Sequence, residues 1–122
     1  MNKLFGFQKL EIYQQSKHLI KETYFITRNF PEREAYSLAS QMNRAAVSIS
    51  SNIAEGSSRN SLKDKMRFIN ISYGSLMELI CQMEISYELC YITSDRYESF
   101  LVLSRDLSVK LNNYMNYLKK SI

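Results

Sequence analysis

Apolar residues recur along this chain at helical spacing in four blocks. In the first, Leu10, Tyr13, Ile20 and Tyr24 form one row and Ile12, Leu19 and Ile26 a second beside it. That predicts a helix from about Gln8 to Arg28 with a wide buried stripe. Asn29-Phe30-Pro31 ends it, because proline disfavours helical geometry at the residue before it and suits the first position of the next helix. The second helix then starts with Glu32 and Glu34, whose charge complements the helix dipole, and buries Leu38, Met42, Ala45, Ile49 and Ile53. Gly56 is placed to close it as a left-handed C′ residue.

Ser61-Leu62-Lys63-Asp64 reads as a capping box with Asp in the usual Glu position, opening a third helix that reaches Tyr91. Phe68, Ile71, Ser75, Leu76, Leu79, Met83, Ser86 and Cys90 define its seam, with Ile80 and Tyr87 flanking. Gly74 in its middle costs about 1 kcal/mol relative to alanine, which predicts a close helix crossing there as compensation. Thr93-Ser94-Asp95 caps a fourth helix with the core row Phe100, Leu103, Leu107, Leu111, Tyr114 and Leu118. Short connections make successive helices antiparallel neighbours. The expected fold is all-α: one antiparallel up-down-up-down four-helix bundle spanning residues 1–122.

Composition changes this picture little. Three glycines, one proline and 45% hydrophobic residues fit an ordered helical domain. The first ten residues lack a signal-peptide pattern, and no stretch approaches the run of about 18 apolar residues that spans a membrane. The expected setting is the cytoplasm, without membrane contact.

The sequence offers little catalytic chemistry. A di-metal carboxylate bundle needs Glu-x-x-His pairs, whereas the single histidine, His18, has no acid three residues before it. Cys81, Cys90 and His18 do not have zinc-ligand spacing, so no metal site is expected. Some helical-bundle ribonucleases place an Arg four to six residues before a His; Ile12, Tyr13 and Gln14 occupy those positions. No base stands ready to activate a serine, and no glycine-rich phosphate loop is present. The reading is a non-enzyme without catalytic residues or cofactor. Cys81 and Cys90 lie about 13 Å apart along one helix, too far for a disulfide, and read as reduced core thiols.

Charge is more informative. The net charge is +4, and residues 57–70 carry Arg59, Lys63, Lys65 and Arg67 against Asp64 alone. Residues 71–92 carry Glu78, Glu84 and Glu88 without a base. The third helix is therefore basic at its N-terminus, where the dipole and free N–H groups also favour phosphate. Lys3, Lys9, Lys17 and Lys21, with Lys119 and Lys120, either extend this patch or are ordinary surface. Tyr36, Tyr73, Tyr91, Tyr97 and Tyr117 fall partly off the core rows, suiting base stacking or subunit interfaces.

The segment Gln41 to Arg59 is built mostly of Ala, Ser and Asn, so a neighbouring backbone can approach it closely. Its long polar residues, Gln41, Arg44, Asn52, Glu55 and Arg59, then require partners. They form either the wall of a site or an interhelix or intersubunit polar network. This segment also resembles a signature. Gln41, Arg44-Ala45, Ser48-Ile49, Asn52-Ile53-Ala54-Glu55-Gly56 and Arg59 are similar to the helical-bundle family encoded in intervening sequences of 23S ribosomal RNA genes, sometimes labelled ribosomal-protein-like. Phe30-Pro31-x-x-Glu34-x-Tyr36-x-Leu38 and Gly74-Ser75-Leu76-x-Glu78-Leu79 extend the likeness over essentially the whole chain.

Two positions depart from the pattern: Asn43, where a second Arg is frequent, and Ser50, where a Pro is frequent. The resemblance implies an antiparallel four-helix bundle assembled into a ring-shaped homo-oligomer, typically a pentamer. A related group serves diversity-generating retroelements as accessory factors, binding nucleic acid and a reverse transcriptase. By that likeness, the expected function is RNA or DNA association through Arg59, Lys63, Lys65 and Arg67, with Arg44 as a fifth contact. The alternative is a structural scaffold that binds only itself or a partner protein.

Overall fold

The computed structural model describes residues 5–121. A 3-10 turn at Gly6–Lys9 leads into α1, Glu11–Thr27, and a second at Glu32–Glu34 precedes α2, Leu38–Ser57. The long helices α3, Leu62–Glu88, and α4, Ser94–Lys120, complete the fold, and no strand occurs among the described residues. Side-chain contacts fix the directions. Ser16 meets Ser50 and Thr27 meets Asn43, so α1 and α2 run antiparallel. Ser86 points to Met42 and Ser75 to Ser48, which reverses α3 against α2. Glu11 pairs with Lys110 and Glu22 with Arg96, which reverses α4 against α1. The bundle is up-down-up-down.

Its core is a column of 3/4-spaced residues from each helix. α1 buries Ile12, Leu19 and Ile26, with Ser16, Thr23 and Thr27 between them. α2 buries Met42, Ala45, Ala46, Ile49 and Ile53, and α4 buries Phe100, Leu107, Leu111 and Leu118 around Ser104. Of the rows expected from sequence, Leu10, Tyr13, Ile20, Leu103 and Tyr114 flank this column, while Tyr24 is exposed.

The seam of α3 differs from the expected one in its first half. Ile69, Ser72, Leu76, Leu79, Met83 and Ser86 are buried, whereas Phe68 is half-buried and Ile71 exposed. The true seam contains a serine at a position where hydrophobicity would not place it. Ser72 reaches the interior because its hydroxyl donates to the Ile49 carbonyl at 2.8 Å, which removes the penalty of burying it.

The helix boundaries also shift. α2 starts at Leu38 rather than Glu32, because Glu34 is held on both sides: it accepts from Ser37 at 2.6 Å and from the Tyr91 hydroxyl at 2.7 Å. Gly56 lies inside α2 and has no positive φ. It is needed for space instead, since a Cβ there would stand 3.0 Å from Phe68 Cβ and 3.3 Å from the Lys65 carbonyl. Gly74 meets nothing within 4 Å among the described residues, so the expected crossing at that point is not made within the chain.

α3 ends before Tyr91 in a Schellman motif. Tyr91 N–H donates to the Ser86 carbonyl and Cys90 N–H to that of Tyr87, with Cys90 left-handed at φ 65. Cys90 and Cys81 are therefore exposed free thiols and do not belong to the core. Ser61 caps α3 by accepting from Asp64 N–H at 3.1 Å, so only the serine half of the capping box forms.

Candidate nucleic-acid interface

The antiparallel arrangement gathers four chain segments at each end of the bundle. One end joins the start of α1, the close of α2, the start of α3 and the close of α4. Arg59, Lys63, Lys65 and Arg67 lie here with Lys9, Lys110, Lys119 and Lys120, facing Glu11, Glu55, Asp64 and Asp106. The other end carries Glu22, Glu32, Glu34, Glu84, Glu88, Asp95 and Glu98 against Lys21, Arg28, Arg33 and Arg96, so Lys21 does not extend the basic patch. The molecule is thus basic at one end and acidic at the other. Lys3 lies outside the described residues.

The four clustered cations are not equivalent. Lys65 donates from Nζ to the Ser57 carbonyl at 3.0 Å, so its ammonium closes the C-terminus of α2 where the chain turns into α3. Arg59 pairs with Glu55 at 3.0 Å, an i,i+4 bridge with both side chains well exposed and therefore weak. Its guanidinium also lies 4.6 Å from the Phe68 ring, and that of Arg67 lies 4.8 Å from the same ring. Phe68, read from sequence as a core residue, is instead the aromatic support that holds both arginines in place. Lys63 is exposed and forms no hydrogen bond or ion pair among the described residues.

The long polar residues of the α2 signature are spread along its outer face. Glu55 and Arg59 meet, and Asn52 donates to the Ser48 carbonyl at 2.8 Å and to its hydroxyl at 3.0 Å. Gln41 and Arg44 are exposed, and among the described residues their side chains have no partner. Within one chain these five residues do not join into a single network. Arg44 instead borders a shallow groove of about 740 Å³ with Tyr24, Tyr36, Asn43, Val47 and Ser51, where Tyr36 is 98% exposed.

The two departures from the family pattern have an interior purpose that the sequence did not reveal. Asn43 accepts from the Thr27 hydroxyl at 2.9 Å, and the buried Ser50 shares a 2.6 Å hydrogen bond with Ser16. Both tie α2 to α1. A clue was available in Ser16, Thr23 and Thr27, small hydroxyls on the inner stripe of α1 that require acceptors.

The remaining chemistry is sparse. Among the described residues no three His, Cys, Asp or Glu side chains group to hold a metal ion, and no helix is long and apolar enough to cross a membrane. His18 is exposed. Tyr91 is bonded to Glu34 and packs on Phe30, and Tyr97 stacks on Tyr87 with centroids 4.5 Å apart. Burial and the carboxylates of Glu84, Glu98 and Glu88 push the Tyr97 phenol up.

The fold and signature define a class: a small antiparallel four-helix bundle with a polarised charge distribution. The profile of the 23S rRNA-intervening sequence proteins matches residues 8–113, and the chain belongs to that family. A solved structure with the same fold is the protein of unknown function from the S23 ribosomal protein family of Bacteroides thetaiotaomicron VPI-5482. It superposes with a TM-score of 0.80 at 21% identity, covering 86% of this chain and 95% of that one. No curated protein matches the chain.

Proposed function

We propose that this protein is a non-enzymatic, cytoplasmic homo-oligomer that associates with RNA or DNA through phosphate contacts at its basic end. The observation that carries this reading is the end-to-end separation of charge, which brings cations from four chain segments onto one surface. Lys63 and Arg67 are the principal contacts. Arg59 joins them by exchanging its exposed Glu55 partner for phosphate, Lys65 mainly orders the turn, and Arg44 lies farther along α2. Repeating so small a patch around a ring of copies, a pentamer by family likeness, raises affinity through avidity.

Gel shift and fluorescence anisotropy with a structured RNA and a duplex DNA test the reading. Affinity is expected to fall steeply with rising salt, with a log–log slope that shrinks by about one per phosphate-contacting cation removed. K63E/R67E is expected to abolish the shift. A wild-type oligomer that shifts neither nucleic acid at low salt ends this reading.

A second reading, a scaffold without nucleic acid, draws on the exposed and unpartnered Gln41 and Arg44 amid the small residues of α2. Under it, R44A or E55A weakens self-association in sedimentation velocity. Unchanged assembly in both variants argues against it.

A further inference from the structure

A groove of about 420 Å³ opens between α3 and α4 beside the basic end, on the opposite side of the bundle from the α2 signature face. Its walls are Arg67, Asn70 and Tyr73 from α3 and Asn112, Met115 and Lys119 from α4. The floor is the apolar core itself, reached at Ile69 and Leu111. The groove is thus concave, apolar at its base and rimmed by a few convergent polar groups, the usual make-up of a ligand site.

The order of these groups along the groove is informative. Counted from the bundle terminus, Lys119 and Arg67 come first, Asn70 and Asn112 lie inward of them at matching depth, and Tyr73 lies one turn further along α3. From Arg67 to Tyr73 is about 9 Å at 1.5 Å per residue. Cation, amide and aromatic therefore follow one another over the length of one nucleotide, with the phosphate at the cations and the base at the amides and Tyr73. Among the described residues, the side chains of Asn70, Tyr73 and Asn112 make no hydrogen bond, so their donors and acceptors are free for a ligand. Asparagine amides match the paired donor and acceptor of a base edge, and thioether sulfur packs well against an aromatic ring.

We propose that the α3–α4 groove seats one unstacked base of a single-stranded nucleic acid, with the adjoining phosphate on Arg67 and Lys119. This rests on the reading above and sharpens it: the basic end supplies general attraction, and the groove selects strands whose bases can turn outward. Duplex ends and hairpin stems would bind through phosphates alone.

Anisotropy with a fluorescent oligoadenylate, an abasic strand of equal length and charge, and a blunt duplex separates the possibilities. The base-bearing strand is expected to bind about tenfold tighter than the abasic one, the effect of one seated base. N70L/N112L, at two exposed positions, is expected to erase that difference while leaving abasic binding unchanged. The methyl resonances of Met66 and Met115 are expected to take ring-current shifts with the base-bearing strand only. Equal, salt-sensitive binding of all three probes would overturn the groove assignment and leave the phosphate reading standing. No binding by any probe at low salt would overturn both.

Discussion

Gly56 and Gly74 have opposite meanings although both lie inside long helices. At Gly56 an added methyl would strike Phe68 Cβ and the Lys65 carbonyl, neither the free end of a flexible side chain. G56A is expected to destabilise by about 1–2 kcal/mol, the cost of overpacking exceeding the better helix propensity. G74A enters open space within the chain and is expected to stabilise by up to about 1 kcal/mol. Urea denaturation of the two variants measures both, and equal effects would contradict this assignment. Cys90 is a third such position: C90G would relieve a left-handed non-glycine residue and is expected to be neutral or stabilising. The sequence marked the two glycines as unusual, but neither the left-handed cap expected at Gly56 nor the crossing expected at Gly74 is made within the chain, and Cys90 read as core. Helical spacing places a residue on a face, yet whether another backbone lies 3 Å or 8 Å from that face is tertiary information.

At the level of elements, four helices, their order and most core rows were legible, because 3/4 spacing survives in α1, α2 and α4. The first half of the α3 seam was not, because Ile71 outranks Ser72 by hydropathy while Ser72, unlike Ile71, can donate to α2. The onset of α2 escaped for a similar reason: the Tyr91–Glu34 bond joins residues far apart in sequence. Hydrogen bonds from Ser37 and then Tyr91 hold the Glu34 carboxyl below its ordinary 4.5. The bond to Glu34 raises the Tyr91 phenol above 10.0.

A lowered acid contributes its full stability above the ordinary value and loses it as pH falls through the lower folded value. A raised phenol contributes fully below 10.0 and loses its share as pH rises past the folded value. Thermal melts of wild type and Y91F are therefore expected to differ most near neutrality and to converge on acidification. Parallel curves across the acid limb would count against the clasp. Lys65 gives a companion test within α3. K65A is expected to cost about 1 kcal/mol by freeing the Ser57 carbonyl, whereas K63A leaves stability unchanged and weakens nucleic-acid binding.

On the scale of the whole molecule, individual cations matter less than their common location. The sequence displayed a basic stretch and an acidic stretch within α3, but antiparallel folding adds the closing residues of α4 and the opening residues of α1 to the basic end. Lys119 and Lys120 thereby gain a place in the patch, while Lys110 is occupied by Glu11 and Asp106. The division of charge also makes the chain a polar rod, and in the proposed oligomer symmetry would decide what becomes of that polarity. A rotation axis parallel to the helices keeps every rod pointing the same way, so the dipoles add and one rim of the ring concentrates all the positive charge. A two-fold axis across the helices would cancel them and leave a basic tip at each extremity. The first arrangement orients strongly in an electric field and the second does not, so transient electric birefringence distinguishes a particle with one anion-seeking face from one with two.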